Sequence, residues 1–409
     1  MDVMGEWLGR NGRAVAGVGL LGVLFVATAV LAAVGSGSSP SPVTAKSPAS
    51  GSTSSTTKSP GGQDLAPGFR PTGVWFIDES DGWVIGGGCG DGRCARLMRT
   101  KDGGRSWQPF DPPSMSGHGT AGDVTDVAGD GKAGDVTDVR FADSRDGWAF
   151  GPGLWSTHDG GASWTALDIG SRMVSLETTG PKAYALVASC PGQRSDCQGP
   201  VRLYETVVGT DDWQPVVDVD TGSPSSPEGA LVVSGHSLYA LVDSHGRSPE
   251  PGRPRDLYAL TQAGRWERRH LPASCQLTAV LAAAGPRDLF LSCQTGAGAG
   301  GSAPHEFHVS RDGGARWTRI WEGRSSYFGP VAITPEGRFM GESIEDLRID
   351  RPDGSQEHIR FRYSPEYRCG ERVHAMQFIT SQQGTVLTCF EVYITRDAGH
   401  HWEPVPLNL

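Results

Sequence analysis

An acidic residue beside two small residues recurs four times along this chain and could carry chemistry. The four stretches read RTKDGGRSW, STHDGGASW, VSRDGGARW and ITRDAGHHW. A repeated carboxylate could act in acid–base catalysis or bind a metal ion. It could equally shape a tight turn, where Asp accepts backbone hydrogen bonds and Gly supplies a positive φ. We favour the turn, because the same residues return at similar intervals. The aspartates and their tryptophans are Asp102, Trp107, Asp159, Trp164, Asp312, Trp317, Asp397 and Trp402.

These turns belong to a longer unit of four strands. The first unit combines GVWFIDESDGWVIGGG with ARLMRTKDGGRSWQPF, and the second combines DVRFADSRDGWAFGPG with LWSTHDGGASWTAL. Alternating apolar residues predict strands, and the Asp-Gly turns predict hairpins. Weaker copies end at Trp213 and Trp266, and a degenerate copy has His358 in the tryptophan position. The spacing is close to the period of about 40–50 residues of four-stranded propeller blades. The chain is therefore predicted to be all-β, with a seven-bladed β-propeller over residues 68–409.

The motif Ser/Thr-x-Asp-x-Gly-x-x-Trp resembles the Asp-box, or BNR, repeat of the sialidase-like superfamily of propellers. Thr100, Asp102, Gly104 and Trp107 match it, and the other three copies match it as well. The F.D..DGW hairpins of the first two units are most similar to propellers related to the photosystem II stability and assembly factor. This resemblance implies that the motif lies on the face away from the ligand site. We therefore interpret its aspartates as architectural rather than catalytic.

The N-terminal region predicts a membrane anchor. Residues 14–34 are 21 consecutive residues without a charge, long enough to cross a hydrocarbon core of about 30 Å. Arg10 and Arg13 precede this segment and no Lys or Arg follows before Lys46, so residues 1–13 are expected in the cytoplasm. Residues 35–67 are rich in Ser, Thr, Pro and Gly and predict a disordered linker. The propeller is then extracytoplasmic, on a signal-anchor helix or secreted after cleavage near Gly35.

The eight cysteines fall in four close pairs, which predicts disulfides in an exported chain. A zinc site in CGDGRC is the alternative, disfavoured by the wide spacing and the oxidising compartment. If the blades are placed as predicted, all four pairs lie on the face opposite the Asp-Gly turns. The pairs are Cys89 with Cys94, Cys190 with Cys197, Cys275 with Cys293, and Cys369 with Cys389.

The composition and the absence of known motifs limit the classes of function that this chain can have. The net charge of -10 and the lack of a basic stripe exclude a nucleic-acid binder, and no motif predicts a metal or cofactor. We expect a non-enzymatic scaffold that binds an envelope protein or a glycan. The alternative is a sialidase-like or other glycoside hydrolase. It would need three arginines near a Tyr and a carboxylate, or two carboxyl groups about 5–10 Å apart. Candidate residues of the ligand face are Arg70, Arg253, Tyr327, Glu342 and Arg368.

Overall fold

The computed structural model describes most of the chain after the predicted linker. The described residues are 69–407 without 88–94, 114–135, 152, 171, 190–200, 220–227, 235, 244–255, 262–263, 276–278, 284, 297–302, 326–330, 334–338, 343–346, 351–355, 360–372 and 389–390.

Within these residues the chain forms twenty-eight β-strands and no helix. Each set of four consecutive strands makes one antiparallel sheet, joined in chain order, so seven four-stranded sheets result. The first two sheets are β1 (Arg70–Phe76), β2 (Gly82–Gly87), β3 (Ala95–Thr100), β4 (Gln108–Phe110), and β5 (Asp138–Phe141), β6 (Gly147–Phe150), β7 (Leu154–Thr157), β8 (Thr165–Leu167). The third and fourth are β9 (Arg172–Thr179), β10 (Lys182–Ala188), β11 (Val201–Val207), β12 (Gln214–Val219), and β13 (Glu228–Ser234), β14 (Ser237–Asp243), β15 (Asp256–Leu260), β16 (Trp266–His270). The fifth is β17 (Ala279–Ala283), β18 (Leu289–Gln294), β19 (Ala303–Ser310), β20 (Thr318–Ser325). The last two are β21 (Val331–Ile333), β22 (Phe339–Glu342), β23 (Leu347–Asp350), β24 (Gln356–Ile359), and β25 (Val373–Phe378), β26 (Gly384–Thr388), β27 (Val392–Thr395), β28 (Glu403–Pro404).

The sheets follow one another around a propeller. The first strand of each sheet contacts the first strand of the next, from β1 and β5 through to β21 and β25, and β26 returns to contact β1. A single four-stranded sheet cannot bury both faces, so each sheet depends on its two neighbours. This arrangement places the first strands around a common central space.

Apolar side chains fill the seams between neighbouring sheets. Trp83 of the first sheet stacks on Phe141 of the second with ring centroids 3.7 Å apart, and Leu97 and Val139 are buried beside them. At the closing seam, Met98 belongs to one cluster with residues of the last sheet. Burying such side chains stabilises each seam by about 1.5–3 kcal/mol per large apolar residue.

The blade prediction requires a correction. Six sheets carry the closing tryptophan of the repeat directly before, or as the first residue of, their fourth strand. The sheet β21–β24 consists of strands of only three or four residues, and His358 lies inside its fourth strand. The prediction of seven blades built on one repeat is therefore wrong, since six sheets share the repeat and β21–β24 is a shorter, different member of the ring.

The helix in the fold-class prediction has no counterpart among the described residues. All regular elements of the described residues are strands, so none of these residues forms a helix that could cross a membrane. The predicted cytoplasmic residues 1–13, the anchor 14–34 and the linker 35–67 all lie outside the described residues.

Candidate functional site

A cavity of about 580 Å³ occupies the centre of the ring and is lined by the first strand of every sheet. Most of its described lining is apolar or small. The ionisable side chains among the lining residues are Asp138, Arg140, Glu177 and His374. The first three form a single cluster, which is the main polar feature of this cavity.

Strand β5 positions two members of the cluster. Successive side chains of a strand point to opposite faces, so Asp138 and Arg140 share one face of β5 while Val139 and Phe141 share the other. Val139 and Phe141 are fully buried in the seam with the first sheet. This anchors β5 and directs the two charged residues toward Glu177 on β9.

Arg140 binds both carboxylates. Its Nη1 lies 2.8 Å from Asp138 Oδ2, and its Nε donates to Glu177 Oε1 at 3.0 Å. A further hydrogen bond runs from Nη1 to the carbonyl oxygen of Val139. Only 17% of the Arg140 side chain and 12% of the Glu177 side chain are exposed, whereas Asp138 keeps 27% open to the cavity. Asp138 is thus the member most accessible to a ligand.

The first strand of the ring makes room for this cluster. A Cβ on Gly73 of β1 would lie 2.4 Å from Asp138 Oδ1 and 2.9 Å from its Cα, so any side chain there would displace Asp138. The guanidinium of Arg140 lies over the ring of Trp75, 4.5 Å from its centroid, and Trp75 Nε1 donates to the carbonyl oxygen of Phe141. This cation–π contact further stabilises the charge of Arg140.

The cluster combines two carboxyl groups with one guanidinium. Burial raises the pKa of Asp138 and of Glu177, and it outweighs the opposite effect of Arg140. Burial disfavours the charge of Arg140, but Asp138 and Glu177 more than compensate and raise its pKa. One guanidinium cannot neutralise two ionised carboxylates, so when both are ionised the cluster has capacity for a second cation.

The Asp-Gly turns have quite different chemistry. Asp102 Oδ1 accepts the backbone N–H groups of Arg105 and Ser106 at 3.0 and 2.9 Å, and the hydroxyl of Thr100 at 2.8 Å. Its Oδ2 accepts the Ser106 hydroxyl at 2.6 Å. These hydrogen bonds, led by that of the Ser106 side chain, lower the pKa of Asp102 to about 2. The carboxylate is held inside its own turn.

The other three turns repeat this pattern. Asp159, Asp312 and Asp397 each accept a hydroxyl from the residue two positions earlier and a backbone N–H from the residue four positions later. Burial opposes ionisation, yet these hydrogen bonds lower the pKa of all three and bring those of Asp159 and Asp397 to about 2. Such groups are poor proton donors at neutral pH, which agrees with a structural role.

Glycines and tryptophans of the turns pack against neighbouring apolar groups. Gly104 has φ 84°, and a Cβ there would lie 2.6 Å from Ile394 of the last sheet. Trp107 makes an edge contact with Phe76, and Trp164 makes the same contact with Phe141. Trp402 contacts Phe378 in the same way, and Trp317 packs on the cluster between the fourth and fifth sheets.

The predicted disulfides are described in part. Cys275 and Cys293 form a disulfide with their Cα atoms 5.0 Å apart. The other six cysteines, Cys89, Cys94, Cys190, Cys197, Cys369 and Cys389, lie outside the described residues.

The proposed ligand-face residues do not meet in the described part of the chain. Arg70 is exposed at the beginning of β1, and Glu342 lies on β22, where only its backbone is described. Arg253, Tyr327 and Arg368 lie outside the described residues.

Sequence reasoning missed the central cluster. The alternation of Asp138 and Arg140 with Val139 and Phe141 placed two charges on one face of a strand. Their partner Glu177, however, is 37 residues beyond Arg140, on the next sheet.

Comparison with known proteins shows the fold. No protein-family model matches the chain, and no curated protein is significantly similar to it. The structure of YCF48 bound to D1 peptide is similar with a TM-score of 0.50 and 19% identity, over 82% of this chain and 95% of that one. YCF48 from Cyanidioschyzon merolae gives 0.52 and 14%, over 82% and 98%. An ancestral GH74 enzyme gives 0.53 and 13%, over 81% of this chain and 45% of that enzyme. At these identities the likeness establishes a β-propeller fold, and the resemblance to Asp-box repeats stays a prediction.

Proposed function

We propose that this protein is a non-enzymatic binding scaffold whose central cavity receives a positively charged side chain from a segment of a partner protein. The observation that carries this proposal is the cluster of Asp138, Arg140 and Glu177, which brings two carboxylates and one guanidinium to the wall of one cavity. An ammonium or guanidinium group beside Asp138 would balance the remaining negative charge. A rigid ring around this space would keep the carboxylates in place before binding.

The similar propeller YCF48 supports this reading by analogy of fold. Its structure contains a D1 peptide, so a propeller of this architecture can bind a peptide. Because fold alone does not determine function, the proposal rests on the charged side chains in the central cavity.

A glycoside hydrolase is the second candidate. It is favoured by two carboxyl groups of raised pKa that line one cavity, and by the GH74 enzyme of similar fold. A hydrolase needs one carboxyl group to protonate the leaving oxygen and another to attack or to activate water. In this protein Asp138 and Glu177 both bind Arg140, which holds them as ion-pair partners. We therefore prefer the scaffold.

Peptide binding tests the choice. We would titrate the purified full chain with otherwise identical peptides carrying a central Lys, Arg, Ala or Glu, using calorimetry. Lys or Arg peptides are expected to bind at least tenfold more tightly than Ala or Glu peptides, and Glu177→Gln should remove most of this preference. Glu205→Gln is the matched control, because Glu205 pairs with Lys182 elsewhere, outside the cavity lining.

Three results would overturn the proposal. These are equal binding of Glu and Lys peptides, an equal effect of the two Glu→Gln variants, and no detectable binding of any peptide. Release of a fluorophore from aryl glycosides by the wild type and not by Glu177→Gln would favour the hydrolase.

The pH dependence of binding provides a second test. Because the pKa values of Asp138 and Glu177 are raised, the cavity takes up a proton at a higher pH than ordinary carboxyl groups do. Binding of a cationic peptide should therefore weaken as the pH falls through these raised values. Asp138→Asn should flatten this dependence, whereas a profile that stays flat in the wild type would contradict the assigned site.

We further propose that the scaffold is anchored in the membrane with the propeller outside the cytoplasm. The supporting observations are the uncharged residues 14–34 and the preceding Arg10 and Arg13. Protease added to intact cells should degrade the propeller, and deletion of residues 14–34 should leave it in the soluble fraction of the cell. Protection of the full chain in intact cells that is lost on lysis would contradict this orientation.

A further inference from the structure

A second group of potential ligands lies in the fifth sheet, away from the central cavity. Cys275 precedes β17, Cys293 lies on β18, and His308 lies on the adjacent β19. A ring nitrogen of His308 and both Sγ atoms lie within 4.8 Å of one another. All three residues are buried, with exposures of 3%, 0% and 5%. Two sulfurs and an imidazole are the ligand types that zinc prefers.

The neighbours of His308 orient its ring. Its Nε2 lies 2.8 Å from Glu306 Oε2, and Glu306 is itself held by the Ser274 hydroxyl at 2.5 Å and by Arg319 at 3.0 Å. A carboxylate that accepts one N–H of a histidine leaves the other ring nitrogen with a free lone pair, as in many zinc sites.

An open cavity lies beside this group and reaches one of its members, His308. This cavity of about 420 Å³ is lined by His270, Ser274, Glu306, His308 and Trp317. The cavity reaches His308 and the neighbours of Cys275, whereas the two sulfurs are buried behind them.

We propose that reduction of the Cys275–Cys293 disulfide converts this group into a zinc site with Cys275, Cys293 and His308 as ligands. A phosphine supplies two electrons and becomes its oxide by taking the oxygen of a water molecule; the S–S bond breaks, and the two protons of that water complete the thiols. Zn²⁺ then displaces both thiol protons, so the two thiolates neutralise the ion inside the protein. The sulfurs must separate to about 3.8 Å, as a Zn–S bond of about 2.3 Å in a tetrahedron requires. The metal then replaces the covalent link between the chain before β17 and strand β18.

Cobalt binding tests the site. The full chain would be reduced with a phosphine, freed of it under anaerobic conditions, and titrated with Co²⁺. We expect the absorption of a tetrahedral site with thiolate-to-cobalt charge transfer, and Zn²⁺ should displace the cobalt. The variant Cys275→Ser/Cys293→Ser should bind one equivalent less than wild type, which separates this site from the other six cysteines. His308→Gln should weaken binding tenfold or more.

Controls keep this test decisive. His308→Gln retains both cysteines and can be checked for folding with the disulfide intact, should the serine variant fail to fold. Ser274→Ala removes a neighbour of Glu306 that is not a ligand and should change affinity less than His308→Gln does. The proposal fails if the reduced wild type binds no more Co²⁺ than the serine variant, or if His308→Gln leaves both affinity and spectrum unchanged.

Discussion

The Asp-Gly turns and the central cluster use the same carboxylate side chain in opposite ways. In the turns, each Asp binds groups within four positions of itself, and its pKa is lowered. In the cavity, Asp138 and Glu177 come from neighbouring sheets, share one guanidinium, and have raised pKa values. A carboxylate whose hydrogen bonds are all made within its own turn stabilises the fold. A carboxylate that shares one guanidinium with another in a cavity is available to bind a ligand.

The largest effect is expected when Arg140 is removed. Arg140→Met would leave two carboxylates facing each other in the cavity with no cation, and breaking such a buried pair costs about 3–5 kcal/mol. We expect the free energy of unfolding in urea to fall by about that amount at pH 7. A loss of under about 1 kcal/mol would mean that the cluster is well solvated.

The other two partners provide the control for that experiment. Arg140→Met combined with Asp138→Asn and Glu177→Gln removes all three charges and should recover more than half of the lost stability, because no charge remains unpaired. Failure to recover would assign the loss to packing of Arg140 on Trp75 instead of to charge.

The next largest effect on stability is expected at the small residues of two equivalent Asp-Gly turns. Gly161 has φ 97°, and a Cβ there would lie 3.0 Å from Leu97 Cδ2 of the preceding sheet. Gly161→Ala should therefore lower the free energy of unfolding by about 1–2 kcal/mol. In the last turn Ala398 occupies the first glycine position with φ 60°, so Ala398→Gly should raise it by about 1 kcal/mol or less. Changes of the same sign in both variants, measured by urea unfolding, would contradict this account.

Local repetition explains what could be read from the sequence. The hydrogen bonds of the turn around Asp102 all lie within the segment Thr100–Trp107. The turn, its tryptophan and the strands on either side could therefore be predicted from the local pattern alone. The short strands around His358 carry no such motif, so the repeat does not describe the sheet β21–β24. The cluster occurs once, and the pairing of Arg140 with Glu177 depends on how two sheets pack. Nothing in the alternation of one strand specifies that partner.

Acid unfolding separates the turns from the cavity. The pKa of Asp102 is lowered to about 2, so its contribution to stability is present above its unfolded pKa near 4 and is lost as the pH falls toward 2. Asp102→Ala should lower the free energy of unfolding by about 1 kcal/mol at pH 7 and by less at pH near 2. Exposed Asp111, just after β4, provides the matched Asp111→Ala control, which should change stability little. Equal losses in both variants would contradict the role of Asp102 in stabilising its turn.

The smallest effect is expected at His158, where a turn of the second sheet meets the third sheet. Its Nδ1 lies 2.6 Å from Asp146 Oδ1, and its Nε2 lies 3.4 Å from Asp211 Oδ2 of the neighbouring sheet. The hydrogen bond with Asp146 raises the pKa of His158 against the effect of burial. A raised histidine pKa stabilises the fold below the unfolded value of about 6.5, and this stabilisation is lost as the pH rises through the folded value.

The two aspartates distinguish a contact within the turn from one across the seam. Since 42% of the His158 side chain is exposed, we expect a contribution of only a few tenths of a kcal/mol. The stability difference between wild type and His158→Gln should shrink between pH 5.5 and 8.5 in urea unfolding. Asp146→Asn should reduce this pH dependence more than Asp211→Asn does, because the closer partner dominates the shift. The reverse order would mean that the seam, and not the local turn, controls this histidine, and it would weaken the distinction between the local turns and the centre of the ring.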